Sequence, residues 1–394
     1  MKSAFYIPEN LPPLADSPAL AEKFHYILDM LYLRRTLGRY DATDYLGIHL
    51  ATLQKIISAR RAKPCLASLV TLGVLECDNE WHKGGKSTGY RFAEPFREAK
   101  FRKVAPVSPQ LAAQIEICRA EANEKVIAGD AALTRVKETV EKIKFEPAVR
   151  DYLASLPDDD KKASRRTAID NFGGDGLFFR RDKSGGRFYH NFVTIARDLR
   201  QFARLDGQQL YQVDISACHP GLLAVLYDDA PTPELQAEKA KYVSAMQSGF
   251  YEFLAARMTT QTDLTDNAVR DAFKKSVMKD YIFCSTAKKS DVRQAFEKAF
   301  PLLAALIFEG KGAEKGIYKK HKRKIAIRLQ KLEADMIFSA VIPRLIARYP
   351  DIPVVSMHDA VISTLEYVPA IREEMERAFV ERVGFTPKVK TSRV

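Results

Sequence analysis

The chain has 394 residues, and its 46% hydrophobic and 28% charged residues exclude a disordered polymer and favour a globular protein of two or three domains. The formal net charge of +12 predicts a polyanionic partner, and no apolar stretch is long enough to cross a bilayer. The N-terminus has no apolar core of the secretory type, and the five cysteines form no C-x-x-C pair. We therefore expect a protein of the reducing cytoplasm that binds nucleic acid rather than a membrane.

Residues 1–100 are predicted to form a helical, winged-helix-like DNA-binding module. Apolar periodicity indicates helices over residues 18–62, and the segment LVTLGVLECD is strand-like around a glycine. The Gly-rich turn WHKGGKSTG and the strand YRF would close a basic hairpin. The cations of the predicted recognition helix and wing are Lys55, Arg60, Arg61, Lys83, Lys86 and Arg91. A helical cap with a solvated basic face explains the pattern equally well.

Residues 101–165 are predicted to form a charged helical spacer. The segments SPQLAAQIEICRAEANEKV and AALTRVKETVEKIKF are Ala-rich and helical in periodicity, and they carry no pattern typical of a catalytic site. The polar run PDDDKKASRR marks a boundary near residue 160. Beyond this boundary short apolar strands alternate with helices, so the fold class predicted for the chain is α+β.

Two carboxylates stand at strand ends in this C-terminal half. Asp214 follows the apolar run that begins at Leu210 in LYQVDISACHPGLL, and a helix pattern begins at about Pro220. Asp359 stands at the tip of the hairpin predicted for IPVVSMHDAVIS. A buried carboxylate needs a partner, and adjacent strands would bring both acids to a shared pair of hard cations such as Mg²⁺. On spacing alone, an aspartate that caps a turn is the commoner interpretation of each position.

Further motifs surround the two acids, and their order resembles that of family A DNA polymerases and single-subunit, phage-type RNA polymerases. VDISACHPGLLAVL is similar to the first palm motif of that superfamily, in which a helix follows an Asp and a Ser. MHDAV is similar to the His-Asp of the last palm motif. Between them, AVRDAFKKSVMKDYIF is similar to the fingers helix, whose pattern is R-x-x-x-K-x-x-x-(F/Y/M).

Two more motifs extend the resemblance, which covers roughly residues 175–390. RRDKSGGRFY resembles the short G-R motif that contacts the template–primer duplex, and this match places Arg187 there. LQKLEADMIFSAVI is similar to the helix Q-x-x-x-x-D-x-I, with matches at Gln330 and Asp335. Five motifs in colinear order are far more specific than any one of them, whereas the N-terminal part of the chain is not covered.

The resemblance implies a role for each matched residue. Asp214, Asp359 and the carbonyl of Ile215 would bind two Mg²⁺ ions, for which Mn²⁺ is a possible substitute. The nucleotide-binding candidates are Arg270, Lys274, Lys275, Met278, Tyr281 and His219, and the template–primer candidates are Arg187, Gln330 and His358.

The fingers residues also have a physical rationale of their own. Arg270, Lys274, Met278 and Tyr281 fall at i, i+4, i+8 and i+11, which keeps them near one face of an α-helix. Cations on that face would hold the triphosphate, with Lys275 as a competing candidate, and the apolar residues would support the base. Without the flanking motifs, a basic surface helix would be the preferred interpretation.

Three positions depart from the family pattern. Ile282 stands where the family usually has an aromatic residue before Gly, which leaves the base-stacking residue open. Ala360 replaces the Glu that often follows the last palm Asp of DNA polymerases. His219 stands where DNA polymerases have a Glu that crowds the 2′-hydroxyl; a ring there favours deoxynucleotides, although it could also bond the hydroxyl or simply pack before Pro220.

The resemblance implies a right-hand polymerase core behind the N-terminal module. The expected segments are a DNA-binding module at 1–100, a thumb or spacer at 101–165, the palm at 166–230 and 311–394, and fingers at 231–310. We expect a template-directed nucleotidyltransferase, a compact DNA polymerase without a proofreading exonuclease, acting on a DNA template–primer and nucleoside triphosphates. An RNA polymerase or primase, a non-catalytic replication initiator and a two-metal nuclease stay open as alternatives.

Overall fold

The computed structural model describes residues 4–38, 40–81, 87–173, 176–229, 231–260, 262–282, 290–308 and 315–394. Helices and strands alternate with one another, and the mixed α+β class predicted from the sequence is confirmed. Throughout these ranges, no helix combines the length and the apolar character needed to cross a membrane.

The elements are defined as follows. The α-helices are α1 (Pro18–Gly38), α2 (Leu50–Ile57), α3 (Ala59–Thr71), α4 (Glu94–Arg97), α5 (Pro109–Ile127), α6 (Ala131–Lys142), α7 (Ala148–Ser155), α8 (Asp160–Asp170), α9 (Asn191–Thr194), α10 (Arg197–Arg200), α11 (Cys218–Leu222), α12 (Pro233–Ala255), α13 (Asn267–Ser276), α14 (Asp291–Ala299), α15 (Pro301–Phe308), α16 (Lys315–Asp335), α17 (Ile342–Arg348) and α18 (Val368–Val383). The strands are β1 (Phe5–Pro8), β2 (Leu46–Gly47), β3 (Leu75–Cys77), β4 (Gly89–Phe92), β5 (Phe101–Val104), β6 (Ile143–Phe145), β7 (Phe179–Arg181), β8 (Phe188–His190), β9 (Ala203–Leu205), β10 (Gln208–Gln209), β11 (Tyr211–Ile215), β12 (Val355–Met357), β13 (Ala360–Ser363) and β14 (Val389–Arg393).

The chain divides into two compact units, and each unit is assembled from separate stretches of sequence. Unit 1 comprises residues 1–128, 143–180 and 190–204, and unit 2 comprises residues 129–142, 181–189 and 205–394. The five expected segments divide the chain differently, because the helices of residues 101–165 are shared between both units. That five-part division stays a prediction.

Unit 1 contains a small antiparallel sheet, whose strand β2 precedes α2 and α3 and whose strands β3 and β4 follow them. The three strands have the order β2-β4-β3, in which Leu46 pairs with Tyr90 and Leu75 pairs with Phe92. The prediction for LVTLGVLECD was wrong in part, because its first residues complete α3 and only Leu75–Cys77 form a strand. Leu69 explains this, since it is fully buried and continues the helical spacing of the apolar residues of α3.

The rest of unit 1 is built around α1. Strand β1 pairs antiparallel with β5, and the ring of Tyr32 on α1 stacks on Phe101 of β5 with centroids 4.2 Å apart. The buried Glu22 carboxylate accepts the backbone N–H groups of Val107 and Ser108 at 2.8 and 2.9 Å. These bonds satisfy both the buried acid and the chain that enters α5.

Unit 2 contains a four-stranded antiparallel sheet with the order β12-β13-β11-β14. The central strand β11 buries Val213 and Ile215, whereas its intervening residues are half-buried, as the period of two in a strand requires. The sheet is covered by α18, whose Phe379 ring lies so close to Gly221 of α11 that a Cβ atom there would be 2.5 Å from it. The glycine therefore permits the close packing of the helix that follows β11.

The helical segment between the two halves of the sheet departs from the predicted geometry. Helix α13 ends at Ser276, and Val277–Ile282 form a π-helical turn. The α-helical spacing therefore applies to Arg270 and Lys274 but not to Met278 or Tyr281, because a π turn holds more residues than an α turn. Helix α12 is also interrupted, since Gly249 adopts φ 134°, a conformation that only glycine adopts readily.

Replacement of Phe379 by Ala should destabilise unit 2 by about 3–5 kcal/mol, because it leaves a cavity under the sheet. Phe379 is 1% exposed, whereas its neighbour Val380 is 37% exposed. The matched variant Val380→Ala should change stability by about 0.5 kcal/mol at most. Urea unfolding followed by circular dichroism measures both, and equal shifts for the two variants would contradict this packing.

Candidate functional site

The sheet of unit 2 brings the two predicted acids together. In the register of β11 with β13, Asp214 is the direct partner of Ala360, and Asp359 immediately precedes Ala360. Strand β12 reaches Met357, which pairs with Ala360, so His358 and Asp359 form the two-residue tip of a tight hairpin. The predicted hairpin is therefore present, and both carboxylates lie at one end of adjacent strands.

The backbone beside each acid adopts an unusual conformation. His358 has φ 58° and Ala217 has φ 55°, and both are non-glycine residues in the left-handed region. Such residues cost on the order of 1 kcal/mol each and occur often at functional sites. Helix α11 begins at Cys218, directly after Ala217, which is two residues earlier than predicted. Pro220 is therefore the third residue of this helix rather than its first.

The carboxyl group of Asp359 has a raised pKa. Burial raises the pKa of its carboxyl to about 6, with further upward contributions from Glu333 and Asp214 that His219 partly opposes. Nearby, the Ser216 hydroxyl is buried without a hydrogen-bond partner among the described residues. A cation at this place would neutralise the carboxylates, so the oxygen ligands fit a hard divalent ion such as Mg²⁺.

The protein donors alone do not form a complete metal cage. Within the ranges that the structure describes, no group of three or more His, Cys, Asp or Glu side chains has the arrangement of a metal site. Mg²⁺ commonly uses one or two carboxylates and completes its shell with water and substrate phosphates. Two acids with the carbonyl of Ile215, the last residue of β11, fit that mode of binding.

A buried ionic network lies next to the acids and is centred on Glu333, which the sequence analysis did not single out. Arg187 donates from Nε and Nη2 to the two Glu333 oxygens, each at 2.7 Å. His219 Nε2 lies 2.9 Å from Glu333 Oε2, and the Glu333 side chain is 1% exposed. Burial opposes ionisation of Glu333, but the bonds from His219 and Arg187 prevail and lower its pKa. The network therefore holds the side chains of Arg187 and His219 in place.

Two glycines let α16 approach the turn that precedes Arg187 closely. Asp182, Gly185 and Gly186 form the turn before Arg187, and a Cβ atom at Gly185 would lie 2.6 Å from Gln330 Oε1. Helix α16 thus packs directly on this turn with Gln330 and Glu333. Asp335, the other matched position of the helix, pairs with Arg382 of α18 instead.

The cations predicted to bind a triphosphate lie on α13 near Tyr251. Arg270 forms an ion pair with Glu252, and Lys274 Nζ lies 5.9 Å from the centroid of the Tyr251 ring. Burial and then the charge of Asp359 raise the pKa of Tyr251 to about 12, while Arg270 acts in the opposite direction. Tyr251 is therefore within electrostatic reach of both Asp359 and the α13 cations.

The remaining candidate residues differ in their exposure and surroundings. Lys275 is exposed, and Met278 is half-buried in the π-helical turn. The side chain of Tyr281 lies outside the described residues, as do Lys83 and Lys86 of the predicted wing. His358 packs edge-on against Tyr189, with ring centroids 5.8 Å apart.

Glu333 and Tyr251 were missed because their importance depends on tertiary contacts. Glu333 lies three residues after Gln330 in α16, so the helical face of the matched motif was a usable signal for it. Tyr251 follows the Gly249 interruption of α12, and no spacing rule predicts where a kinked helix directs its next side chain.

Comparisons with known proteins leave the family of this chain open. No family model and no curated protein sequence matches it. Among solved structures, the chain is similar to the POL domain of Pol1 from M. smegmatis in complex with DNA primer-template and dNTP. The two are 10% identical, with a TM-score of 0.48, and the match covers 96% of this chain and 81% of that chain. Similarity at this level does not establish a shared fold.

Replacement of Glu333 by Gln should destabilise the protein by about 3–5 kcal/mol at neutral pH, because Arg187 and His219 lose a buried anionic partner. The difference from wild type should shrink as the pH falls below 4.5, the ordinary pKa of Glu, since acid then protonates Glu333 in the wild type as well.

Urea unfolding as a function of pH measures this effect. The matched variant Glu381→Gln removes a carboxylate that pairs with Arg344 at the surface, and it should leave stability unchanged. Equal losses in the two variants would contradict the assignment of Glu333 as the centre of a buried network.

Proposed function

We propose that this protein is a template-directed nucleotidyltransferase, a DNA polymerase that joins nucleoside triphosphates to a primer 3′-hydroxyl. The observation that carries the proposal is the pairing of β11 with β13, which sets Asp214 beside Asp359. Two carboxylates lie at the ends of adjacent strands, and Tyr251 is within electrostatic reach of Asp359 and of the cations Arg270 and Lys274 on α13. Phosphoryl transfer needs carboxylates for the metal ions and cations for the phosphates.

Asp214, Asp359 and the carbonyl of Ile215 would hold the catalytic ions. When bound, a pair of Mg²⁺ ions stabilises the attacking and leaving oxygens of an in-line displacement. The 3′-hydroxyl of the primer would give its proton to solvent and attack the α-phosphorus, the bond from that phosphorus to the oxygen bridging the α- and β-phosphates would break, and pyrophosphate would leave. Mn²⁺ is a possible substitute because it also accepts oxygen ligands.

Residues outside the metal site would bind and orient the substrates. Arg270 and Lys274 would hold the β- and γ-phosphates, with exposed Lys275 as the competing candidate. Tyr251 and Met278 offer an aromatic and an apolar surface for the base, and Tyr281 stays a prediction for the same role. Arg187, Gln330 and His358 would contact the template–primer duplex.

The fold would then correspond to the hand-shaped polymerase architecture. Residues 166–230 and 311–394 would supply the palm, residues 231–310 the fingers and residues 101–165 the thumb or spacer. A core of this kind works without a proofreading exonuclease, and we propose that this chain has none.

His219 supports deoxynucleotides as the substrates. His219 belongs to α11, its imidazole ring contacts Glu333 and Arg187, and it is only 8% exposed. A ring that cannot move away would exclude a 2′-hydroxyl sterically. An RNA polymerase or primase on the same core is the alternative that this residue argues against.

Asp214→Asn and Asp359→Asn should each reduce extension of a labelled primer at least about a hundredfold, because several kcal/mol of transition-state stabilisation depend on the metal ligands. The matched variant Asp351→Asn alters an exposed acid of the same unit and should retain wild-type activity. Primer extension with dNTPs in Mg²⁺, in Mn²⁺ and in EDTA measures the effect.

Extension that survives both substitutions would refute the assignment of the acids. Product shortening in place of extension would identify a two-metal nuclease. Wild-type protein that binds DNA but incorporates neither dNTPs nor rNTPs would favour a non-catalytic replication initiator.

His219→Ala should raise the ratio of ribonucleotide to deoxynucleotide incorporation by about tenfold or more, since removal of a steric contact is worth about 1–3 kcal/mol. Steady-state kcat/KM values for one dNTP and the corresponding rNTP measure the ratio. The control is His49→Ala, which alters an exposed histidine in unit 1. An unchanged ratio would mean that His219 only packs beside Pro220.

A further inference from the structure

We propose that the exposed face of α3 forms a second binding site, whose ligand is double-stranded DNA. This site belongs to unit 1 and does not depend on the nucleotidyl-transfer chemistry of unit 2. It would hold the protein on duplex DNA whether or not a nucleotide is being added.

The element order provides the geometric basis. Helices α2 and α3 are separated by a single residue, Ser58 with φ 80°, and the following strands return to the sheet order β2-β4-β3. A helix, a tight turn, a second helix and a flanking hairpin form the arrangement of a winged helix, in which the second helix enters the major groove.

Helix α3 has one buried face and one face that the rest of unit 1 leaves open. Its buried residues are Ala62, Cys65, Leu66 and Leu69, at helical spacing. The exposed residues on the other side are Arg60, Arg61, Lys63, Pro64, Ala67 and Thr71. Small side chains occupy the C-terminal part of this face and cations its N-terminal part, so the helix backbone could approach a groove closely.

Helices α2 and α3 carry basic side chains and no acidic ones. Residues 45–75 contain no Asp or Glu, and their exposed cations are Lys55, Arg60, Arg61 and Lys63. Among the residues that the structure describes, none of these four cations forms an ion pair with an acid. Unpaired cations on the exposed faces of α2 and α3 are complementary to phosphate, and they would release counterions on binding.

The stem of the hairpin is fixed by contacts of its own. Arg91, which the sequence assigned to the wing surface, instead pairs with Glu76 at 2.7 Å and stacks over the Tyr45 ring at 4.2 Å. Asp78 Oδ1 accepts the N–H of Gly89 at 2.8 Å.

The shape of the face selects among nucleic acids. B-form DNA has a major groove about 12 Å wide that admits an α-helix, whereas the major groove of A-form RNA is too narrow. Single strands are usually bound by stacking on aromatic side chains, and the exposed face of α3 has none. Duplex DNA is therefore the ligand that fits.

The test uses the full-length chain with Arg60, Arg61 and Lys63 all changed to Ala, and a fluorescent 30-base-pair duplex in EDTA without nucleotide. Loss of three phosphate contacts should reduce the slope of log K against log salt by about 2.7, since each contact contributes about 0.9. The matched variant Lys100→Ala/Lys144→Ala/Arg150→Ala removes three exposed cations elsewhere in unit 1, and its slope should equal that of the wild type.

A second pair of variants excludes a folding defect as the cause. Ala67 is exposed, so Ala67→Glu should weaken duplex binding and Ala67→Lys should strengthen it, with equal melting temperatures. A wild-type salt slope in the triple variant, or shifts of the same sign in both Ala67 variants, would overturn the proposal. So would equal losses of affinity for duplex RNA or for phosphatidylserine vesicles, which would identify a general polyanion surface.

Discussion

The antiparallel register of β11 with β13 is the constraint on which the candidate site depends. Side chains alternate between the two faces of a strand, so a slip by one residue would exchange Val213 for Asp214 in the core. Val213 and its partner Val361 are fully buried, and a carboxylate in that position would be left without water. The apolar packing of the sheet thus fixes the position of Asp214, although Asp214 itself adds no apolar contact to the core.

The carboxyl groups of Glu333 and Asp359 have opposite pKa shifts, which separates a structural role from a chemical one. Glu333 is held by Arg187 and His219 and its pKa is lowered, so it is ionised and fully engaged. Asp359 is less well compensated and its pKa is raised, so its charge is available to an incoming cation. Opposite pKa shifts in neighbouring carboxyl groups are a frequent sign that they perform different tasks. Glu333 secures the scaffold, and Asp359 remains poised for a ligand.

Local sequence patterns predicted the strand ends and the hairpin, because apolar runs interrupted by Asp214 and Asp359 have a clear period. The convergence of those acids needed the order of several motifs, since spacing cannot show which strands pair. The spacing from Gln330 could have placed Glu333 on the same face of its helix, but its partners Arg187 and His219 come from separate parts of the chain and could not be predicted. The same limit applies to Tyr251, whose direction depends on the interruption at Gly249, and to the π-helical turn, which shifts Met278 away from the α-helical spacing.

The interleaving of the two units has a consequence for how the protein can be divided. The chain passes from one unit to the other after residues 128, 142, 180, 189 and 204. A single cut anywhere between these points leaves both halves with an incomplete core, so neither unit can be released as a continuous fragment. Circular permutation or a break in the chain within this stretch would be tolerated poorly. The two units therefore have to fold as parts of one continuous chain.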